Sequence, residues 1–410
     1  MPNSNGSPQN VPGKIRARPF YLPLSLPLRQ ALSALFYASL TRWKGFSRWT
    51  LKKASRTMRI AAGAVGMGCI GFPNHPVWEM TTACNLNCQH CHTSGGSPSL
   101  GELDTEEARK MLREIASIDI FRMIVFTGGE PLVRPDIYEL CEYSASLNLP
   151  VVIATNGTLV TPESARRLRD CGVLCLAFSL DGADAEVHNR IRGDKRAFQR
   201  AIQGIENWKA LGMPVQVNIT AMKENLQDIS TILQLADDYD ASIALLYQLI
   251  PVGRGQAIKE HSLSVEENRK LIETLYQAQE ELGFIAEPVG APQCWPFLLE
   301  RGKNSPLKRF LGRSLFKGCT AGRGLCYIKP EGDVWPCPFL PLTAGNVREK
   351  TLDRIWDEGE VFALLRDRGN LKGECSRCRY RESCGGCRGR AYAQSGDFLE
   401  EDPYCFLEKN

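Results

Sequence analysis

Between residues 76 and 290, short apolar runs alternate with longer stretches of helical period. The runs Val77 to Met80, Met123 to Phe126, Val151 to Ala154, Leu174 to Leu180, Val215 to Thr220 and Ile243 to Ile250 read as strands buried on both faces. Apolar spacings of three and four predict helices near 105–118, 134–148, 161–171, 198–211, 226–240 and 264–283. Thr161-Pro162 supplies a cap and a first-turn proline, and Ser264-x-x-Glu267 reads as a capping box. Strand and helix alternating six times imply parallel βαβ units and the α/β class. An open, partial (β/α)6 TIM-type barrel suits the six repeats, with ligands at the carboxyl ends of the strands. A doubly wound open sheet produces the same pattern.

The flanking segments differ in character. Residues 1–27 are rich in Pro, Ser and Asn and predict a mobile tail. From Leu28, the apolar residues Leu32, Leu35, Phe36, Leu40 and Trp43 describe an amphipathic helix that Trp49 and Leu51 extend. Beyond the last helix, a Pro/Gly/Lys-rich stretch leads into a cysteine-dense tail. The expected division is a helical extension at 1–74, a barrel at 75–290, a linker at 291–318 and an iron–sulfur domain at 319–410.

The chain has 410 residues, 43% hydrophobic and 23% charged, an ordinary globular composition for two or three domains. Its net charge of +4 hides a division, because residues 1–78 hold eleven Lys or Arg and no Asp or Glu. At average acidic usage, so long an acid-free segment arises by chance in roughly one chain in ten thousand. Three readings of this basic arm stay open. It packs on the acidic remainder of the chain, it touches an anionic membrane surface, or it is an organellar targeting sequence. No run of 18 apolar residues spans a membrane, and no export signal is present, so a reducing cytoplasm is the expected location. Nothing in the arm reads bases, so no nucleic acid is expected.

Sixteen cysteines in such a chain favour metal over disulfides. Cys84, Cys88 and Cys91 form a C-x3-C-x2-C run directly after the first strand. Three thiolates on so short a loop can hold three irons of a 4Fe–4S cube and leave the fourth open. This spacing resembles the signature of the radical S-adenosylmethionine (SAM) enzymes. The resemblance implies that the open iron chelates SAM, and that an electron from the cube releases a 5′-deoxyadenosyl radical.

Thr127-Gly128-Gly129-Glu130-Pro131 follows the second strand and resembles the motif that holds the methionyl amino group in that family. The resemblance carries SAM contact onto Gly128, Gly129 and Glu130. Ser179-Leu180-Asp181-Gly182, with His188 and Arg190 to Gly193, looks like the family's fourth-strand segment. It places Ser179 and Asp181 toward the ribose and Arg192 toward the carboxylate. Equally, Asp-Gly is a turn and the arginines are solvated surface. Asn218 and Gly253-Arg254-Gly255 are weaker signals. His90 stands where family members often carry an aromatic residue, and is either an adenine-stacking group or a packed imidazole. No catalytic residue is assigned.

The tail holds Cys319, Cys326, Cys337, Cys375, Cys378, Cys384, Cys387 and Cys405. Eight thiolates suffice for two cubes, whereas the C-x2-C hooks alone would suit zinc. The spacing resembles the SPASM extension of radical SAM enzymes, with a last gap of two residues where many members have three. The resemblance implies an inner auxiliary cluster on Cys319, Cys326, Cys337 and Cys387. It implies an outer one on Cys375, Cys378, Cys384 and Cys405. Both would carry electrons or support structure. Cys69, Cys141, Cys171, Cys175 and Cys294 are taken as structural.

Cys384-Gly-Gly-Cys-Arg-Gly-Arg and Asp402-Pro403-x-Cys405 resemble the ending of the branch that trims tetrapyrrole side chains in haem synthesis. That implies an anionic porphyrinoid meeting Arg254, Arg388 or the basic arm. A reductant such as flavodoxin or ferredoxin is implied as partner. Similar endings occur in enzymes that crosslink peptides, and a non-catalytic iron–sulfur or zinc protein is the remaining alternative.

Overall fold

The computed structural model describes residues 15–17, 25–55, 75–301, 306–315 and 318–407. Most of the expected tail at 1–27 lies outside the described residues, as do Arg56, Arg59 and Cys69. Two helices, α1 (Leu26–Thr41) and α2 (Phe46–Lys52), precede the first strand. Seven parallel strands follow: β1 (His75–Glu79), β2 (Ile124–Thr127), β3 (Val151–Thr155), β4 (Val173–Ser179), β5 (Val215–Ala221), β6 (Ile243–Gln248) and β7 (Ile285–Val289). Between them run α3 (Thr105–Ser117), α4 (Ile137–Ser146), α5 (Pro162–Asp170), α6 (Ala185–Arg192), α7 (Ala197–Lys209), α8 (Ile229–Asp238) and α9 (Val265–Glu281). The expected capping box at Ser264 and Glu267 opens α9, and the Thr161 cap opens α5 with Ser164 as its partner.

The strands lie side by side in chain order from β1 to β7, with no reversal. A doubly wound sheet needs a point where the order reverses, so this is the open barrel. Side chains alternate across it with period two. Trp78, Phe126, Ile153, Phe178, Val217 and Leu246 face out beneath the helices. Val125, Val152, Ala177, Asn218 and Leu245 face in, toward a cavity. The seventh strand was not expected: Ile285-Ala-Glu-Pro-Val carries Glu287 and Pro288, which interrupt the apolar run.

The barrel does not close on itself. Among the described residues β7 pairs only with β6, and the basic arm packs beside its other edge. Tyr37 on α1 donates its hydroxyl to the Ala286 carbonyl of β7 at 2.8 Å, and Trp43 donates its indole N–H to Leu282 O at 2.6 Å. Tyr37, Leu40, Trp43 and Trp49 join Val152, Cys175, Ile243 and Ile285 in a second core at the amino-terminal halves of the strands. Helix α10 (Cys294–Arg301) adds Trp295, Leu298 and Leu299 to it. The arm's cations meet acids of the body: Lys44 with Glu280 and Glu281, Arg48 with Asp237, Lys53 with Asp240. For residues 26–53, packing on the chain's own acidic body is therefore the reading these contacts realise.

The buried face of α1 differs from the expected stripe. Leu40 and Trp43 of that stripe are buried, but Leu32 and Leu35 are exposed and Ala34 and Tyr37 are buried in their place, and the helix stops at Arg42 in a left-handed turn instead of continuing. A further helix, α11 (Pro306–Leu315), follows α10. No helix among the described residues is long and apolar enough to cross a membrane.

The tail continues the same sheet. β8 (Leu325–Ile328) pairs parallel with the free side of β1, and β9 (Asp333–Trp335) and β10 (Gly345–Asn346) extend it. Trp43 is 5% exposed and spans the arm and the barrel interior. Trp43→Ala is expected to cost about 3–5 kcal/mol and to lower the thermal midpoint by several degrees. An unchanged melting curve would mean that the arm is not part of the barrel's core.

Candidate active site

The loop between β1 and α3 carries Cys84, Cys88 and Cys91, and other loops hold it in place. Arg254 donates from Nε to Cys88 O at 2.8 Å and from Nη1 to Gly95 O at 2.9 Å, gripping two parts of the loop. Its backbone N–H reaches Cys91 O at 2.9 Å. Gly253, at φ 55°, makes that approach possible, because a Cβ there would lie 2.4 Å from His92 O. A motif that looked weak in the sequence is thus a clamp on the cysteine loop. The sulfurs accept hydrogen bonds from Leu86 N to Cys84, from Gly95 N to Cys91 and from Arg192 to Cys88. Burial pushes the Cys84 thiol up to about 11 and raises Cys88 as well, against the pull of Arg192. Thiols in that setting need a bound cation to ionise.

The Gly128-Gly129 turn lies against the same loop. A Cβ on Gly128 would sit 2.4 Å from Thr81 O, and one on Gly129 2.2 Å from Ala83 O. Gly129 N–H and Glu130 N–H donate to Thr81 O and Ala83 O, each at 2.8 Å. Both glycines line the cavity. The Glu130 carboxylate does not. It is fully buried and accepts from Thr155 Oγ1 (2.8 Å), Asn156 N (2.8 Å) and Leu132 N (3.1 Å). In this structure the carboxylate ties the β2 loop to the β3 loop.

Asp181 is likewise held by partners within the protein. It is fully buried, and its Oδ2 meets Arg192 Nη2 at 2.6 Å and His90 Nε2 at 2.9 Å, while Oδ1 accepts from Thr220 N at 2.7 Å. Burial opposes its ionisation, but the charges of Arg192 and His90 hold the carboxyl well below the usual range. It positions those two side chains and does not itself face the cavity. Arg192, His90 and Ser179 do. Arg192 Nε and His90 Nδ1 are buried with no hydrogen-bond partner in the protein. His92, unremarked in the sequence, also lines the cavity, between Phe339 and Tyr327. Tyr327 in turn donates to buried Glu79 at 2.9 Å.

The tail cysteines fall into two groups. Cys319, Cys337 and Cys387 line the cavity and, after burial, each other's charge is what raises the Cys337 thiol. Cys375, Cys378, Cys384 and Cys405 lie off the cavity and influence one another in the same way. Cys326 belongs to neither group. It projects from the opposite side of β8 to Leu325 and Tyr327, into the outer core with Ile328, Val334 and Phe362. Cys141, Cys171, Cys175 and Cys294 are buried in the body. Among the described residues no three His, Cys, Asp or Glu side chains converge as a single metal ion requires. The grouped thiols instead share a common space, as the separated irons of a cube demand. Arg388, expected to meet an anionic substrate, is fully buried and donates to Phe398 O, Glu400 O and Cys375 Sγ.

The cavity, about 330 Å³, opens at the carboxyl ends of the strands, where the cysteine loop, the glycine turn and the tail meet. The sequence profile of the radical SAM superfamily matches residues 78–236, and that of the SPASM iron–sulfur cluster-binding domain matches residues 319–379. The AdoMet-dependent heme synthase of Methanosarcina barkeri is 40% identical over 344 residues, 82% of this chain and 98% of the relative. The chain belongs to the radical SAM superfamily. A mycofactocin maturase of Mycobacterium ulcerans is 32% identical, over 80% of this chain and 86% of that protein. In structure, Streptococcus suis SuiB, solved with its precursor peptide SuiA, superposes with a TM-score of 0.66 at 20% identity, over 83% of this chain and 77% of its own. That likeness concerns the fold. The chain is thus a radical SAM enzyme with a SPASM tail, and its family binds SAM and 4Fe–4S clusters.

Two measurements follow from the Asp181 network. Asp181→Asn keeps the acceptor for Thr220 N–H but removes the charge that orients Arg192 and His90. On reconstituted protein it is expected to weaken SAM binding about tenfold, near 1.4 kcal/mol, with iron content unchanged; unaltered affinity would reduce the network to packing. His188 accepts from Asp181 N, and burial, then the Arg192 charge, pushes its imidazole from 6.5 down to about 4. The unfolded chain therefore takes up that proton first as pH falls. Stability is full above pH 6.5 and declines by up to about 3 kcal/mol on the way down through pH 4. His188→Gln should flatten that part of the melting profile relative to the parent protein.

Proposed function

We propose that this enzyme binds a 4Fe–4S cube through Cys84, Cys88 and Cys91, binds SAM beside it, and acts on a side chain of a tetrapyrrole. When bound, the cube supplies the electron that splits SAM, and so the 5′-deoxyadenosyl radical that takes hydrogen from an unactivated carbon. The residues around it fit that group. The loop sulfurs already accept N–H donors, and hydrogen bonds of this kind tune such centres.

Gly128 and Gly129 leave backbone, rather than side chain, facing the ligand. Arg192 Nε and His90 Nδ1, without protein partners, are the polar atoms offered to SAM. Ser179 and Asn218 stand further along the same wall, within reach of ribose hydroxyls. Met123, Val125, Val152, Ala154 and Leu245 form an apolar wall that excludes water from a reactive radical and suits a planar macrocycle.

The observation that carries the substrate reading is the 40% identity to a heme synthase across nearly the whole length of that relative. It exceeds the 32% to a peptide maturase. The test is anaerobic reconstitution followed by SAM, dithionite and an iron porphyrin bearing propionates. 5′-Deoxyadenosine should form together with a lighter porphyrin, and Cys88→Ala should abolish both. Deoxyadenosine without porphyrin turnover would redirect the substrate to a peptide. None from an iron-loaded protein would overturn the radical reading.

A further inference from the structure

Helix α1 is turned the wrong way round for a helix that faces water. A surface helix sends its leucines to the core and its charges to solvent. Here Arg29 and Gln30 are 3% and 5% exposed, and Ser33 and Thr41 are buried with them. Outward stand Leu28, Leu32 and Leu35, the last of them 56% exposed. We propose that this face of α1, together with the outer face of α11, docks on an anionic lipid surface.

The two helices adjoin. Leu28, Leu32, Leu35 and Ser39 follow one another at spacings of four, three and four, so they share one stripe of α1. Lys308, in the first turn of α11, donates to Ser39 O at 3.3 Å, which sets α11 at the end of that stripe. Gly312 lets α11 close on α10, because a Cβ there would lie 2.4 Å from the Leu299 side chain. Trp295 of α10 in turn meets Tyr37 of α1 edge-on. Leu307, Phe310 and Leu311 of α11 are exposed as well, Leu307 at 67%. Single exposed leucines are ordinary, whereas a run of them shared by two adjoining elements marks a surface of interaction.

Charge selects the occupant. Residues 1–78 and 301–330 hold eleven and eight Lys or Arg without one Asp or Glu, and α1 and α11 come from these two stretches. Lys44, Arg48 and Lys53 are paired with acids of the body. Arg42, at the end of α1, and Arg309, on α11, are exposed at the border of the leucines. Leucines flanked by cations suit a bilayer interface, where the apolar side chains enter the acyl boundary and the cations meet phosphates. A second copy docked here about a two-fold axis would press two acid-free surfaces together, cation against cation. No helix among the described residues is able to span the bilayer, so the contact lies in its surface.

The experiment uses the full-length protein and phosphatidylcholine vesicles with or without about 30% phosphatidylglycerol, read by co-sedimentation. The protein should bind the anionic vesicles, and less so as salt rises, but not the neutral ones. Leu28→Glu with Leu35→Glu on α1, and separately Leu307→Glu on α11, should each lower the affinity about tenfold. These side chains are exposed and Glu is a good helix former, so the melting curves should match that of the parent. No binding to anionic vesicles would overturn the inference. Binding that the α1 pair leaves intact would do the same, since it would then arise elsewhere on the chain. Binding lost with the α1 pair but kept with Leu307→Glu would overturn the part given to α11. A dimer in sedimentation velocity that the α1 pair separates into monomers would assign the face to a second copy instead of lipid. Neither SAM nor porphyrin enters these readouts, so they stand or fall apart from the tetrapyrrole reading.

Discussion

The close approach of two backbones governs this molecule. The loop of Cys84, Cys88 and Cys91 has almost no regular structure of its own, so its shape comes from what lies against it. Gly128 and Gly129 on one side and Gly253 on the other let neighbouring loops come within hydrogen-bond range of Thr81, Ala83 and Cys91. Any side chain at these positions would collide with a carbonyl. Glu130, Asp181 and Arg254 then fix the loops from behind, and none of the three needs to touch a ligand to decide where the thiols stand.

The same economy shapes the frame. An open barrel has exposed strand edges, a liability in any sheet. Here the β7 edge lies beside the acid-free arm, whose Tyr37 hydroxyl satisfies a β7 carbonyl and whose tryptophans fill the narrow end of the barrel. The surface ion pairs of Lys44 and Arg48 contribute little each. The absence of acids from the arm serves placement against Asp237, Glu280 and Glu281, while burial of Trp43 and Trp49 removes large apolar side chains from water.

Much of this was legible in the chain. Strands buried on both faces read as unbroken apolar runs, so β1 to β6 stood out, while β7 was hidden by Glu287 and Pro288. On α1 the period count found Leu40 and, just beyond the helix, Trp43, but it also took in Leu32 and Leu35, where packing buries Ala34 and Tyr37 instead. Spacing located the cysteine loop and the glycine turn because both are local. It did not show the protein partners of Glu130, Asp181 and Arg388, because the partners of a buried charge come from strands and loops distant in sequence. Cys326 shows the limit most clearly: a spacing counts cysteines, but only strand phase says which side of the sheet each one occupies.

The pairing of β8 with β1 joins residues 75–78 to residues 325–328. During synthesis the barrel from β1 to β7 emerges long before its first strand meets this partner. Until then β1, the strand that leads into the cysteine loop, has one bare edge. Contacts of such long range form late, after the local βαβ units. The wall of the cavity that Tyr327 contributes therefore depends on the last part of the chain, and the cysteine loop is closed on that side only once the tail has paired with β1.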